Sequence, residues 1–187
     1  MAWWDLFEAT GDRCFIEPYE RVLEASLRSY PDFLPGHPER ARVMDRLHAF
    51  SYFLEGLLPR ATEARCADAL REGIGLTARH LGAIAHEFAR SDVYAQLLRL
   101  RLYADWLGAA PLDVPAAEFE ATQLAAFQVA DSDPRGTRMN GGYWFGRKGA
   151  GELPFVNPVS AAFSAQALEL WEASRAGGAQ AHRHLLI

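Results

Sequence analysis

The hydrophobic residues of this chain recur at spacings of three and four over most of its length, which is the period of an amphipathic helix. Proline or glycine separates successive periodic stretches, as expected where helices end and the chain turns. The pattern predicts six helices, with ranges of 17–30, 39–58, 62–90, 91–107, 113–130 and 158–175. We expect a kink in the third helix near Gly73 and Gly75, because glycine lowers helix stability by about 1 kcal/mol relative to alanine. Taken in pairs, these helices predict a single all-α domain of successive helical hairpins.

One segment interrupts the helical period for about thirty residues, from 131 to 160. Segments of that length without regular structure inside a compact domain are usually functional or disordered. Disordered chains are poor in aromatic residues, whereas this segment contains a Tyr-Trp-Phe run at 143–145 and a further phenylalanine at 155. We therefore predict an ordered loop over one end of the helices, with residues 143–145 facing 153–156 in a short hairpin.

Two of the predicted helices carry a line of polar side chains beside the apolar one, since residues spaced three and four apart lie on one side of a helix. The line on the second helix consists of Asp45, His48, Tyr52 and Glu55, and the line on the fourth consists of Asp92, Gln96, Arg99 and Tyr103. If both lines face a common cavity, they form a concave polar site. The alternative is that each line is the solvated side of its helix. A lone histidine such as His48 is also more often structural than catalytic.

The long loop adds further candidates for ligand binding. Arg147 suits an anionic or hydroxyl-rich ligand, and Trp144 suits stacking on the face of a sugar or another ring. The alternative is a loop whose aromatic side chains plug the end of the helices and whose charges are solvated. Asn157 is typical of a helix N-cap, and Asp131 and Asp133 suit a turn better than a metal site.

Composition narrows the classes of partner. Lys and Arg number 19 against 24 Asp and Glu, and the resulting net charge of -5 argues against a nucleic-acid partner. No run of apolar residues approaches the ~18 that a transmembrane helix needs, so no membrane association is predicted. Asp5 and Glu8 stand where a signal peptide would carry positive charge. Cys14 and Cys66 form no CxxC pair, which favours a reducing compartment, the cytoplasm.

Common catalytic and cofactor motifs do not occur in the sequence. It has no GxSxG, HExxH, P-loop or GxGxxG motif, and its histidines are not grouped as zinc ligands. We therefore expect neither a cofactor nor a metal. The segment 3–7 is rich in Trp, Leu and Phe, so it either docks on the domain or belongs to a longer protein. Residues 176–187 are expected to form a loose tail.

Three segments, 45–59, 91–108 and 141–171, resemble the C-terminal half of an α/α-toroid protein of the six-hairpin superfamily. That superfamily holds many glycosidases, sugar epimerases and terpenoid cyclase-like proteins, together with uncharacterised bacterial members. The resemblance implies that the inner helices and their loops line a substrate cup. Three hairpins correspond to about half a ring, so the fold is expected to be an incomplete toroid. Neither the aspartate-rich motif of the terpenoid cyclases nor the zinc ligands of the prenyltransferases occurs, which points to carbohydrate.

We therefore predict a protein that acts on or binds a saccharide, in the manner of a glycoside hydrolase or a sugar epimerase. The candidate catalytic residues are Asp45, His48, Glu55 and Asp92, and the candidate substrate-binding residues are Tyr52, Gln96, Arg99, Tyr103, Trp144, Arg147 and Asn157. If it is a hydrolase, Asp45→Asn and Asp92→Asn should abolish turnover without changing the melting temperature, since hydrolysis needs two carboxyl groups. The alternative function is a non-catalytic helical module that binds a partner protein, a second copy or the missing half of the toroid. A weaker alternative is a pocket for an isoprenoid.

Overall fold

One helix, Ser91–Trp106, lies at the centre of the fold, as seen in a computed structural model that describes residues 1–130, 139–178 and 183–186. Within these residues the chain forms seven α-helices. They are α1 (Ala2–Thr10), α2 (Arg13–Ser29), α3 (Arg40–Leu57), α4 (Ala64–Ile84), α5 (Ser91–Trp106), α6 (Val114–Ala125) and α7 (Pro158–Arg175). Short 3-10 turns lie after α2 at Tyr30–Asp32, after α3 at Leu58–Arg60, and near the end of the described chain at Arg183–Leu185.

Helix α5 is enclosed on every side, because α3, α4, α6 and α7 all pack against it. Its apolar residues Leu97, Leu98 and Leu100 are almost completely buried, and so are its polar residues Asp92 and Gln96. A helix surrounded in this way has no solvated face. The predicted polar line of α5 is therefore an interior feature.

The prediction of a mainly helical fold is confirmed, with a small sheet added to it. Strand β1 (Phe88–Arg90) pairs antiparallel with β2 (Gly146–Lys148), which pairs antiparallel with β3 (Gly151–Glu152). The last two strands form a hairpin that is shorter and closer to the turn than predicted. The segments predicted to pair, 143–145 and 153–156, meet at a single bridge between Trp144 and Val156. The third predicted helix was too long at its C-terminal end, because the residues of β1 bind the hairpin instead of continuing α4.

The predicted kink in α4 is not observed, since the helix is unbroken from Ala64 to Ile84. Gly73 lies where α4 contacts α3, and a β-carbon at this position would stand 2.4 Å from Leu54 Cδ2. The glycine therefore allows close packing between two helices. The sequence indicates that a glycine disfavours the helix here, but it does not reveal that Leu54 of α3 packs against this position.

The aromatic N-terminal segment forms α1, which was not predicted as a helix. It lies along α2, where the Trp4 ring meets Tyr19 edge-on at 5.3 Å and the Arg60 guanidinium stands 4.8 Å from the Trp4 ring. At the other end of the chain, Arg183 forms ion pairs with Asp5 and Glu8 of α1. Two ends of the described chain therefore meet on the same side of the fold.

Among the helices of the described residues, none combines the length and the apolar character that crossing a bilayer requires.

Replacing Gly73 with alanine is expected to lower the free energy of unfolding by about 1–3 kcal/mol, because the new methyl group overpacks the contact with Leu54. Gly82→Ala is the matched control on the same helix, since its added β-carbon meets no atom within 4 Å. That change should raise the free energy of unfolding by about 0.5–1 kcal/mol through helix propensity alone. Urea unfolding followed by circular dichroism measures both. Equal effects of the two variants would contradict the close packing of α4 on α3.

Candidate functional site

The polar line of α3 and the polar line of α5 face each other inside the fold, and the N-terminal half of α7 lies against both. Side chains from the three helices and from β1 form three adjoining hydrogen-bonded groups, which we call the polar network. Its members are Asp45, His48 and Glu55 of α3, Arg90 of β1, Asp92, Gln96 and Arg99 of α5, and Ser160 and Gln166 of α7. The outcome lies between the two arrangements left open by the sequence. The line of α5 is buried against α3, whereas Asp45 and Tyr52 of the α3 line are exposed to solvent.

At one end of this network, Arg90 binds two carboxylates. Its Nε and Nη2 atoms donate to the two oxygens of Asp92 at 3.0 and 2.7 Å, and its Nη1 atom donates to Asp45 Oδ1 at 2.7 Å. Ser160 Oγ also donates to Asp92 Oδ2, at 3.0 Å. Asp92 is buried and engaged by a bidentate pair, which is the strong form of a charge-assisted hydrogen bond. It fastens β1, α5 and α7 together.

In the middle of the network, His48 and Gln96 form a direct hydrogen bond. His48 Nδ1 lies 2.7 Å from Gln96 Oε1 and 3.9 Å from Asp92 Oδ2. The buried amide nitrogen of Gln96 makes no hydrogen bond of good geometry. It nevertheless lies close enough to Glu55 for its N–H to oppose the rise in the pKa of that carboxyl. With the amide oriented this way, Nδ1 of His48 donates to Gln96 Oε1, and in the neutral imidazole the lone pair is then on Nε2.

At the other end, Arg99 is sealed between α3 and α7. Its Nη2 atom donates to Glu55 Oε1 at 2.6 Å and its Nη1 atom donates to Gln166 Oε1 at 2.8 Å, while the Phe163 ring lies 4.1 Å from the guanidinium. Burial raises the pKa of the Glu55 carboxyl, and the charge of Arg99 opposes that rise. Neither Glu55 nor Arg99 is accessible to a ligand in this arrangement, since both side chains are buried.

Exposure divides the predicted site residues into two groups. Asp45 and Tyr52 are open to solvent, with 62% of the Asp45 side chain and 46% of Tyr52 exposed, and the His48 side chain retains 21%. Tyr52 meets the His48 ring edge-on at 4.8 Å. We call these three residues the open edge of the network. The predicted catalytic residues Glu55 and Asp92 lie in its buried part instead.

The aromatic loop reaches the network through Phe145 rather than through Trp144. The Phe145 ring lies 4.7 Å from the Arg90 guanidinium, and its carbonyl oxygen accepts a hydrogen bond from the Ser91 N–H at 3.0 Å. The Trp144 side chain is buried, so it offers no face to a ligand. Arg147 lies apart from the network, where it donates to Gln123 at 3.3 Å.

The remaining predicted residues have local structural contacts. Asn157 caps α7, because its Oδ1 atom accepts hydrogen bonds from the Val159 and Ser160 N–H groups. This cap fixes the turn from which the Ser160 hydroxyl reaches Asp92. Tyr103 is buried against the ring of Trp106 at 5.3 Å between centroids. Asp131 and Asp133 lie outside the described residues.

Sequence reasoning missed Arg90, Phe145, Ser160 and Gln166 as members of the network. Arg90 was placed at the end of the third predicted helix, and Ser160 and Gln166 were given no role in the site. The available signal was the presence of two opposite charges, Arg90 and Asp92, two residues apart at the start of α5. Recognising it required knowing that residues 88–90 form a strand.

Asp92→Asn is expected to lower the free energy of unfolding by about 3–5 kcal/mol, because it leaves the buried Arg90 guanidinium without its bidentate partner. This differs from the sequence-based expectation of an unchanged melting temperature. Asp45→Asn is the control, because Asp45 is the exposed partner of the same arginine. It should lower the free energy of unfolding by less than about 1 kcal/mol. Chemical denaturation measures both free energies. A small effect of Asp92→Asn would contradict its role in fastening the helices.

Within the described ranges, no group of three or more His, Cys, Asp or Glu side chains is arranged to hold a metal ion. No family model, no curated protein and no solved structure matches this chain. The likeness to α/α-toroid proteins therefore rests on the three sequence segments alone.

Proposed function

We propose that this protein binds a saccharide at the open edge of the network, formed by Asp45, His48 and Tyr52. The observation that carries the proposal is the position of His48. Its Nδ1 atom is anchored 2.7 Å from the buried Gln96, while part of its ring remains exposed. A side chain that is both fixed and accessible is what a binding or catalytic group requires.

The chemistry of the open edge suits a hydroxyl-rich ring. The Tyr52 ring provides an exposed apolar face with a polar tip, and it is supported edge-on by Phe163 at 6.2 Å. The Asp45 carboxylate and the His48 lone pair accept hydrogen bonds from hydroxyl groups. The net charge of -5 is also compatible with a neutral ligand.

Of the two reactions expected from the sequence, the geometry favours epimerisation over glycoside hydrolysis. Hydrolysis needs two carboxyl groups flanking the bond, but Asp92 is buried and shares Arg90 with Asp45. Epimerisation at a carbon next to a carbonyl group needs a base that removes the proton from one face and a donor that delivers a proton to the other face. His48 Nε2 is the base, and water at the open edge delivers the second proton and takes up the one that His48 releases. We assign the proton transfer to His48 and the orientation of the sugar to Asp45.

We further propose that the helices form part of an incomplete α/α toroid. In its support, α3, α5 and α7 come one from each successive pair, and α5 packs against both of the other two. The helices α2, α4 and α6 then occupy the outer positions. A cytoplasmic location is proposed on the ground that Cys14 and Cys66 are both free thiols.

Tyr52→Ala is expected to weaken saccharide binding at least tenfold, because it removes the phenol ring on which the sugar stacks. Its melting temperature should stay close to that of the unchanged protein, since nearly half of this residue is exposed. Calorimetric titration with a panel of monosaccharides and disaccharides provides the measurement.

Phe119→Ala is the matched control, because Phe119 is an exposed aromatic residue on α6. It should leave binding unchanged. His48→Gln should reduce epimerisation of the bound sugar while retaining binding. If no sugar in the panel binds, or if the alanine variants at 52 and 119 behave alike, the proposed saccharide site is wrong.

The second candidate is the interaction module, and the exposed apolar surface of α1 favours it. Trp3 and Leu6 are exposed on α1, and a cavity of about 230 Å³ lies beside Trp3, between this helix and Val22 of α2. Large exposed apolar surfaces often mark protein interfaces. Light scattering after size-exclusion chromatography should then show a dimer that Trp3→Ser converts to monomer. A monomer at all concentrations would count against association with a second copy.

A further inference from the structure

We infer that a cavity between α4, α5 and the start of α6 is a binding site for a small organic carboxylate with an apolar body. The cavity lies on the opposite side of α5 from the polar network. Arg101 borders the cavity and Arg99 belongs to the network, and residues two apart on a helix point about 200° apart. The inference is therefore independent of the proposed saccharide site.

The cavity is large enough for a ring-sized ligand. Its volume is about 220 Å³, whereas an engineered apolar cavity of about 150 Å³ accommodates benzene. Apolar side chains of Ile74, Ala104 and Ala110 form much of its wall. At Gly75 a β-carbon would meet no atom within 4 Å. The absence of a side chain there keeps the cavity open.

The guanidinium of Arg101 lies at this cavity and uses only one of its three nitrogens in hydrogen bonds to the described residues. Its Nε atom donates to both oxygens of Glu120, at 2.8 and 2.9 Å. Its Nη1 and Nη2 atoms make no hydrogen bond to any residue that the structure describes. The side chain is 11% exposed, and neither Nη atom is among the fully buried polar atoms without a partner, so this edge of the guanidinium is accessible. The edge formed by the two Nη atoms matches a carboxylate in the bidentate manner.

The other charged groups at the cavity favour an anion. Arg71 donates to Asp68 at 2.8 Å and to the Ala109 carbonyl at 3.1 Å, and it places a second guanidinium on the lining. The one lining carboxylate, Asp113, already accepts the Ala116 N–H as the cap of α6. Asp68 and Glu120, which pair with the two arginines, are not lining residues, so the guanidinium groups are the charges that a ligand meets beside the apolar wall. An apolar wall beside that charge selects a carboxylate with a hydrocarbon body over inorganic anions, which bring no apolar surface to bury.

Glu120 is a weak internal competitor for Arg101. Burial raises the pKa of its carboxyl to about 7, even though the charge of Arg101 opposes the rise. Near neutral pH its negative charge is therefore only partly developed. It also occupies the Nε side of the guanidinium, which leaves the Nη edge for a ligand.

The test uses phenylacetate as the probe and phenylacetamide as its neutral counterpart, titrated into the whole protein and followed by calorimetry and by NMR of the arginine side chains. Phenylacetate should bind saturably in the millimolar range or tighter and should shift the Arg101 signals. The amide should bind at least tenfold more weakly.

Gly75→Leu is expected to abolish phenylacetate binding by filling the cavity, and it should not destabilise α4, because leucine is the better helix former. Gly82→Leu is the matched control, since it lies on the same helix, has equal space around it and does not line the cavity. It should bind phenylacetate normally. Arg71→Gln should weaken binding several-fold. Arg101 itself is left unchanged, because its removal would strand Glu120 in the interior.

Three results would overturn the inference. They are the lack of saturable phenylacetate binding, equal binding of the acid and the amide, and equal binding by the two leucine variants. Acetate and inorganic phosphate serve as further probes, and either one binding as tightly as phenylacetate would show that the apolar wall takes no part. None of these outcomes tests the open edge around His48, so a negative result here would leave the proposed saccharide site unaffected.

Discussion

The structure depends on the burial of one guanidinium, that of Arg99, between three helices. An isolated charge in a protein interior costs several kcal/mol, so it is tolerated only when its hydrogen-bonding groups are matched. Glu55 of α3, Gln166 of α7 and the Phe163 ring provide that match from two directions. Any displacement of α3 or α7 along α5 would break one of these contacts. The interaction therefore selects one relative placement of the three helices, whereas an apolar interface would accept several.

Arg90 repeats this arrangement at the other end of the network. It connects Asp45 of α3 to Asp92 of α5 from a strand outside both helices. The Phe145 ring lies against the same guanidinium, and the Phe145 carbonyl accepts from the start of α5. The aromatic hairpin is therefore positioned by the polar network as well as by its own strand pairing. The two arginines lie at the ends of the network, and the hydrogen bond between His48 and Gln96 lies between them.

The sequence predicted the helices well because their periodic apolar residues act locally, and it identified the two polar lines because their spacing is also local. It misjudged Gly73, since helix propensity says nothing of Leu54 from another helix. It missed β1, because three residues between two helices carry too little pattern to reveal a strand. It ranked Trp144 above Phe145 as a contact, although the alternation of sides along a strand determines which ring faces the network. Each difference involves a partner distant in sequence.

The candidate chemistry follows from where the network meets solvent. A residue in the middle of a matched ion pair is held firmly, but it has no free atom to offer a substrate. A residue on an open surface has free atoms, but its side chain is not held. His48 satisfies both requirements, because Gln96 binds one ring nitrogen and 21% of the side chain remains exposed. Glu55 and Asp92 are held firmly, but they are not exposed. Burial therefore separates His48 from the two carboxylates as the candidate group for proton transfer, although all three lie on the polar lines of α3 and α5.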